Sequence, residues 1–247
     1  MREVFAMILY HGSPEIVERP MFGVGAEDND YGQGFYCTES LVMAKEWACP
    51  EVKDGFANQY EFDFSGLSVL QLNQDGYHIL NWIAVLLQNR TFRKRSLIAR
   101  QANEYILREF LPDITPYDVV CGYRADDSYF AYAKDFLNNT ISVNQLAQAM
   151  KLGELGEQVV LKSKAAFKQI QFIRYEIADA SIYNPQRMER EKRARSAYLD
   201  NHGANFALSE NDLYVRDIIQ QGVKNDDPRL FLSLIHISEP TRRTPIS

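Results

Sequence analysis

Leu9-Tyr10-His11-Gly12-Ser13 and Gly32-Gln33-Gly34-Phe35-Tyr36-Cys37-Thr38 are the stretches on which the reading of this 247-residue chain turns. Each is an apolar run broken by glycine: the first ends in His-Gly-Ser, and the second is opened by two glycines. Eleven residues after Tyr36, a stretch of helical pattern places Trp47. A histidine at a strand end and two aromatics on adjoining elements suit a flat, polar, heteroaromatic ligand. The glycines let such a ligand approach the backbone.

Working outward, Phe5 to Tyr10 reads as a first strand. Asn58 to Phe64 alternates apolar and polar and reads as another, followed by Ser68 to Leu72. Thr38 or Ser40 can cap a helix through Trp47 that Pro50 closes. Ile79, Ile83, Leu86 and Leu87 recur at helical spacing within Gly76 to Gln88, and a second helix spans about Arg93 to Leu111. Strands are expected at Tyr117–Gly122, Glu157–Leu161 and Ile170–Ile177. Helices are expected at Asp127–Leu137, Val143–Leu152, Lys164–Lys168 and Arg187–Leu199. Short strands interleaved with segregated helices predict an α+β domain over residues 1–231, with a helical insertion at about 76–111.

Composition narrows the function. The net charge is −6, or −7 without the tail residues Glu239, Arg242 and Arg243. That argues against extended nonspecific nucleic-acid binding, which needs many cationic phosphate contacts. A helical nucleic-acid-binding protein built on residues 76 to 111 is disfavoured for the same reason. The small basic run Arg90, Arg93, Lys94 and Arg95 reads as a helix start on the surface. The mixed charges of Arg187, Glu189, Arg190, Glu191, Lys192, Arg193 and Arg195 read as a solvated helix face. Three cysteines at irregular spacing form no disulfide framework, and Cys37, Cys49 and Cys121 read as buried thiols. The four scattered histidines give no metal-ligand spacing, so no metal is expected. With no signal-type leader and no long apolar run, the expectation is a cytoplasmic protein without a membrane span. Leu232 to Ser247 resembles translated sequencing-adapter read-through and is expected to have no packed role.

The ordered motifs resemble the NAD-binding half of ADP-ribosyltransferases of the diphtheria-toxin and poly(ADP-ribose) polymerase type. Those enzymes carry a His-Gly-(Ser/Thr) run, then a Gly-x-Gly run closing in tyrosine, then an aromatic eleven residues on. A nearer resemblance is to the bacterial domain of unknown function 3990 (DUF3990), over roughly residues 8 to 175. It rests on Asn29-Asp30-Tyr31-Gly32-Gln33-Gly34-Phe35-Tyr36-Cys37-Thr38, Ala44-Lys45-Glu46-Trp47-Ala48, Asp118 through Asp127, and Gln158-Val159-Val160-Leu161. The resemblance implies split antiparallel β-sheets, NAD as substrate, release of nicotinamide, and transfer of ADP-ribose to an unknown macromolecular acceptor. It also implies a toxin of a toxin–antitoxin or phage-defence pair, with an antitoxin protein as partner. The alternative is a non-catalytic NAD- or nucleotide-binding module.

Residue roles follow from the same resemblance. His11 would hydrogen-bond a ribose hydroxyl, or be satisfied by backbone at a strand end. Gly12 would pair its backbone with the nicotinamide carboxamide, or simply serve a turn. Ser13 would add a hydrogen bond or begin the Ser-Pro turn. Gly34 belongs to the same ligand-approach loop. Tyr36 would stack on nicotinamide and Trp47 would close the other face; both otherwise read as core. The polymerase-type serine eight residues after the tyrosine is here Ala44. For the catalytic position, the polymerase-type frame favours Glu157 and the bacterial family favours Gln158. The period of a strand lets only one of them face the cleft, and Gln158 is the expected one. Glutamine holds a hydroxyl but is no base, so the carboxylate would come from Asp126 or Asp127, which otherwise read as a helix cap.

Overall fold

The computed structural model describes residues 6–74, 76–91, 96–125, 127–150, 156–204 and 212–231, with 127–129 and 200–204 described by backbone alone. It is an α+β structure with two sheets. One holds β1 (Ala6–Ser13), β3 (Gly55–Asp63) and β7 (Ile170–Ala178) in the order β1-β3-β7, paired antiparallel throughout. The other holds β2 (Phe35–Cys37), β6 (Glu157–Leu161), β5 (Val119–Tyr123) and β4 (Val69–Gln71) in the order β2-β6-β5-β4.

The second sheet departs from the expected all-antiparallel pattern, because β4 and β5 run parallel. Parallel neighbours need a crossover of a dozen residues or more. Here α2 (Ile79–Asn89) and α3 (Leu97–Phe110) supply it. The segment read from sequence as an insertion is thus the connection that the sheet requires. It also carries the core. Every residue from Ile79 to Leu87 is buried, and α2 meets solvent in its last turn, at Gln88. Burying each of its large apolar side chains contributes about 1.5–3 kcal/mol.

The strand β6 is the seam between two packed regions. Val159 and Leu161 join Leu9, Tyr60 and Phe62 between the sheets. Val160 turns the other way, into the helical core around Trp82, Ile83 and Leu86. A strand buried on both faces is continuous in apolar residues, which is why Val159-Val160-Leu161 shows no alternation.

Local chemistry sets four of the helix starts. Ser40, Ser96, Ser142 and Ser163 each accept a backbone N–H at the start of α1 (Leu41–Ala48), α3, α5 (Val143–Ala149) and α6 (Lys164–Lys168). Such caps contribute about 1 kcal/mol each. Between them lies α4 (Asp127–Leu137). The expected helix at Arg187–Leu199 is longer and forms α7 (Ala180–Ala204), which runs through Pro185. It is not simply a solvated face, since Arg190 reaches the buried Glu46 of α1. Beyond it, α8 (Val215–Gln221) returns Val215 and Ile218 to the helical core. The three cysteines are buried thiols. No helix among the described residues is long and apolar enough to cross a membrane. Residues 232–247, read as adapter-derived, lie outside the described part.

Candidate functional site

The two sheets touch where β1 meets the end of β2. Tyr10 and Thr38 exchange both backbone bonds, at 2.8 and 2.9 Å. Two residues further along an antiparallel ladder, Gly12 would face Tyr36. The ladder stops instead: the Tyr36 carbonyl is bonded by His11 Nδ1 at 2.7 Å, and no backbone bond joins Gly12 to Tyr36 among the described residues. Alternation along a strand turns the N–H and C=O of Gly12 to the same edge as those of Tyr10. The split therefore presents unpaired backbone beside the Tyr36 strand.

His11 is inside β1 rather than at its end. Burial draws its pKa below the usual histidine value, only partly offset by the bond to Tyr36. The ring is therefore neutral at pH 7. With Nδ1–H donated to a carbonyl, Nε2 keeps a lone pair and acts as an acceptor. Phe35 lies against the ring at 4.3 Å between centroids. His11, Gly34 and Tyr36 line a cavity of about 670 Å³ under the 15–25 loop.

Gly12 lacks a side chain for a reason that the sequence did not reveal. A Cβ there would come within 2.0 Å of the Ala44 carbonyl and 2.8 Å of the Trp47 Cβ. Helix α1 crosses β1 at this point, so the glycine lets the helix down onto the strand. Ala44 is fully buried in that contact. Gly34 is similarly pressed against Val160 and the Leu161 carbonyl. Ser13 accepts the Glu15 N–H at 3.1 Å and begins a turn.

Tyr36 also lines a smaller cavity of about 210 Å³, with Asp30, Trp47, Arg90, Arg124 and Gln158 among others. The Tyr36 hydroxyl donates to the Gly32 carbonyl and accepts the Tyr31 N–H, which fixes the ring. Burial pushes its phenol well above the usual tyrosine range, so it stays protonated. One face of Trp47 is covered by the Arg124 guanidinium, 4.1 Å from the ring. The Trp47 indole N–H is buried with no hydrogen-bond partner among the described residues.

The neighbours Glu157 and Gln158 point opposite ways. Glu157 is exposed, and Gln158 is buried on the cavity face. The Gln158 amide donates to Asp30 Oδ2 at 3.1 Å, and the same oxygen accepts the Ala125 N–H at 2.9 Å. Arg90 Nε approaches the other carboxylate oxygen at 3.5 Å. Burial pulls the Asp30 pKa above the usual carboxylate range, opposed by the Ala125 N–H, Arg90, Gln158 and Arg124. Asp30, Arg90 and Arg124 were not picked out as site residues from sequence. Asp126 lies outside the described residues, and of Asp127 only the backbone opening α4 is described. Among the described residues, the carboxylate that Gln158 bonds is Asp30. Among the described residues no cluster of His, Cys, Asp or Glu is arranged to hold a metal ion.

A family model described as "Protein of unknown function (DUF3990)" matches residues 7–172, two thirds of the chain. The chain belongs to the DUF3990 family. No curated protein and no solved structure matches it. In this DUF3990 chain the matched region holds every residue of both cavities, from His11 to Gln158. It stops inside the fold, because β7 continues to Ala178 and α8 completes the helical core.

Proposed function

We propose that this DUF3990 protein is an ADP-ribosyltransferase-like enzyme that binds NAD, splits its nicotinamide–ribose bond and passes ADP-ribose to an acceptor. One observation carries this: Tyr36, Trp47 and Gln158 converge on one cavity, and the strand ladder that reaches Tyr10 and Thr38 does not continue to Gly12 and Tyr36. The unpaired Gly12 edge suits a carboxamide, which both donates and accepts. The fixed Tyr36 ring suits the flat face of nicotinamide. The acceptor Nε2 of His11 suits a ribose hydroxyl.

Charge supports the same ligand. NAD carries a negative diphosphate and a positive pyridinium. The small cavity offers both signs, two arginines and one buried carboxylate. In the reaction the glycosidic C–N bond breaks with its electron pair moving to the pyridinium nitrogen, so nicotinamide leaves neutral. Positive charge builds on the ribose, as in glycoside hydrolysis. The acceptor's nucleophile closes the new bond and loses its proton to water. Preorganised negative ends of dipoles near the ribose would stabilise that charge.

A non-catalytic NAD-binding module is the second reading. It is favoured by an amide at Gln158 and by Ala44, whose burial under Gly12 removes it from the cavity. Incubation with NAD separates the two. Quenching of tryptophan fluorescence together with nicotinamide release supports the enzyme; quenching alone supports the module. Neither would end the NAD reading. The macromolecular acceptor and an antitoxin partner remain expectations from the family resemblance.

A further inference from the structure

We infer that Asp30 is the positioning residue of this site, a buried carboxylate that acts through Gln158 to supply the negative charge a lone glutamine lacks. The inference rests on the NAD reading above. A glutamine amide has two ends, and its orientation decides what it can do. Here Nε2 donates to Asp30 Oδ2, which turns the carbonyl Oε1 away from Asp30 as an acceptor. A carboxylate on the N–H end also polarises the amide, which strengthens its oxygen as an acceptor. Asp30 and Gln158 together then do for a ribose hydroxyl, and for the charge growing on the ribose, what one glutamate side chain does alone.

The surroundings fit a site residue better than a structural one. Asp30 is 128 residues from Gln158 in sequence, is 7% exposed, and lies in the cavity wall. The charged and titratable groups that face it are Arg90, Arg124, Tyr31 and Tyr36. Burial pulls its pKa upward, against the Ala125 N–H, Arg90, Gln158 and Arg124. A carboxyl group whose folded pKa is raised binds a proton more readily folded than unfolded. It therefore lowers stability as pH rises from the usual carboxylate range through the folded pKa. Removing the charge at neutral pH should relieve that cost, whereas a merely structural partner would be missed.

The test compares Asp30→Asn, Gln158→Glu and the double variant with the unaltered protein, using NAD as probe. Tryptophan quenching, nicotinamide release and Tm are read for each. Asp30→Asn should lower kcat for release about 10- to 100-fold, the worth of one charge-assisted hydrogen bond, with little change in KM and no fall in Tm. The acid limb of the wild-type pH profile should vanish with it. Gln158→Glu sets two carboxylates in contact, so one takes up a proton, and release should also fall. The double variant keeps one carboxylate and one amide with the bond reversed, and should recover to within about tenfold of wild type. Asp30→Asn within twofold of wild type, a Tm loss of several degrees, or a double variant no better than either single would overturn the inference while leaving NAD binding intact. If the unaltered protein quenches without releasing nicotinamide, the inference falls while NAD binding stands; if it does neither, the NAD reading falls as well.

Discussion

The loop from Glu27 to Gly34 separates two cavities that differ in everything except their wall. On one side is the 210 Å³ space between Tyr36, Trp47 and Gln158, small and dense in charge. On the other is a space of about 780 Å³, lined by Val85, Leu111, Ile114 and Tyr117 together with polar residues such as Gln88, Asp113 and one lysine. That lysine, Lys162, donates to the carbonyls of Tyr31 and Gln33 at 2.6 and 2.7 Å, so its cation is spent on the loop. In the smaller cavity Asp30 joins Gln158 and Arg90 in one network, whereas in the larger Lys162 is held by the loop and Thr115 by Asp113. Volume alone would choose the larger as the binding site. Convergent polar groups choose the smaller, and ligand specificity rests on those.

The comparison breaks most directly at Gln158. Gln158→Ala should cut nicotinamide release by about 100- to 1,000-fold, the typical loss for one preorganised transition-state contact, while Glu157→Ala, an exposed neighbour, should leave it within twofold. The reverse result would move the chemistry to the outer face of β6. A second test contrasts the histidines. Burial lowers the pKa of His78 to about 4, against 6.5 for an ordinary histidine. Between those values the unfolded chain binds more protons, so stability falls as pH falls from 6.5 toward 4. The loss is about 3 kcal/mol, readable as a Tm decline that flattens in His78→Gln. His11 has the same direction of shift, but its substitution should show chiefly in NAD affinity.

Lys162→Met tests the shared wall. Two loop carbonyls lose their donor, at about 1–3 kcal/mol, so Tm should drop. NAD should bind several-fold more weakly as well, because Asp30 and the Gly32 anchor of Tyr36 ride on that loop. A Tm drop with unchanged NAD affinity would uncouple the cavities. The smallest effect is expected at Thr115→Ala, in the larger cavity, where Thr115 bonds only its neighbour Asp113 in the same exposed turn. Release and affinity should both be unchanged, and a tenfold loss would make that cavity part of the site.

The sequence made the strand residues legible because strands have a period. His11, Gly12, Tyr36 and Gln158 sit on β1, β2 and β6 or at their junction, and the motifs mark their order. The role of Gly12 was only half legible: closeness to something was readable, but the something proved to include helix α1. Asp30, Arg90 and Arg124 were not legible, because they come from a loop, a helix end and a strand end. Such positions have no periodicity, and their convergence depends on contacts about 60 to 130 residues apart. The parallel β4–β5 pair was hidden for a related reason. A buried crossover helix such as Ile79–Asn89 has the same apolar pattern whether it is an insertion or a connection.

The helical core has a consequence for anyone dividing the gene. Leu213, Val215, Ile218, Val223 and Leu230 lie beyond the family match, yet fill the same interior as Trp82 and Ile106. A shuffling junction placed at residue 172 would strip that interior of one wall and leave a greasy scar on the helices beside the Asp30–Gln158 cavity. Recombination that keeps the family motifs must therefore carry this distant coda along with them, as a single heritable unit.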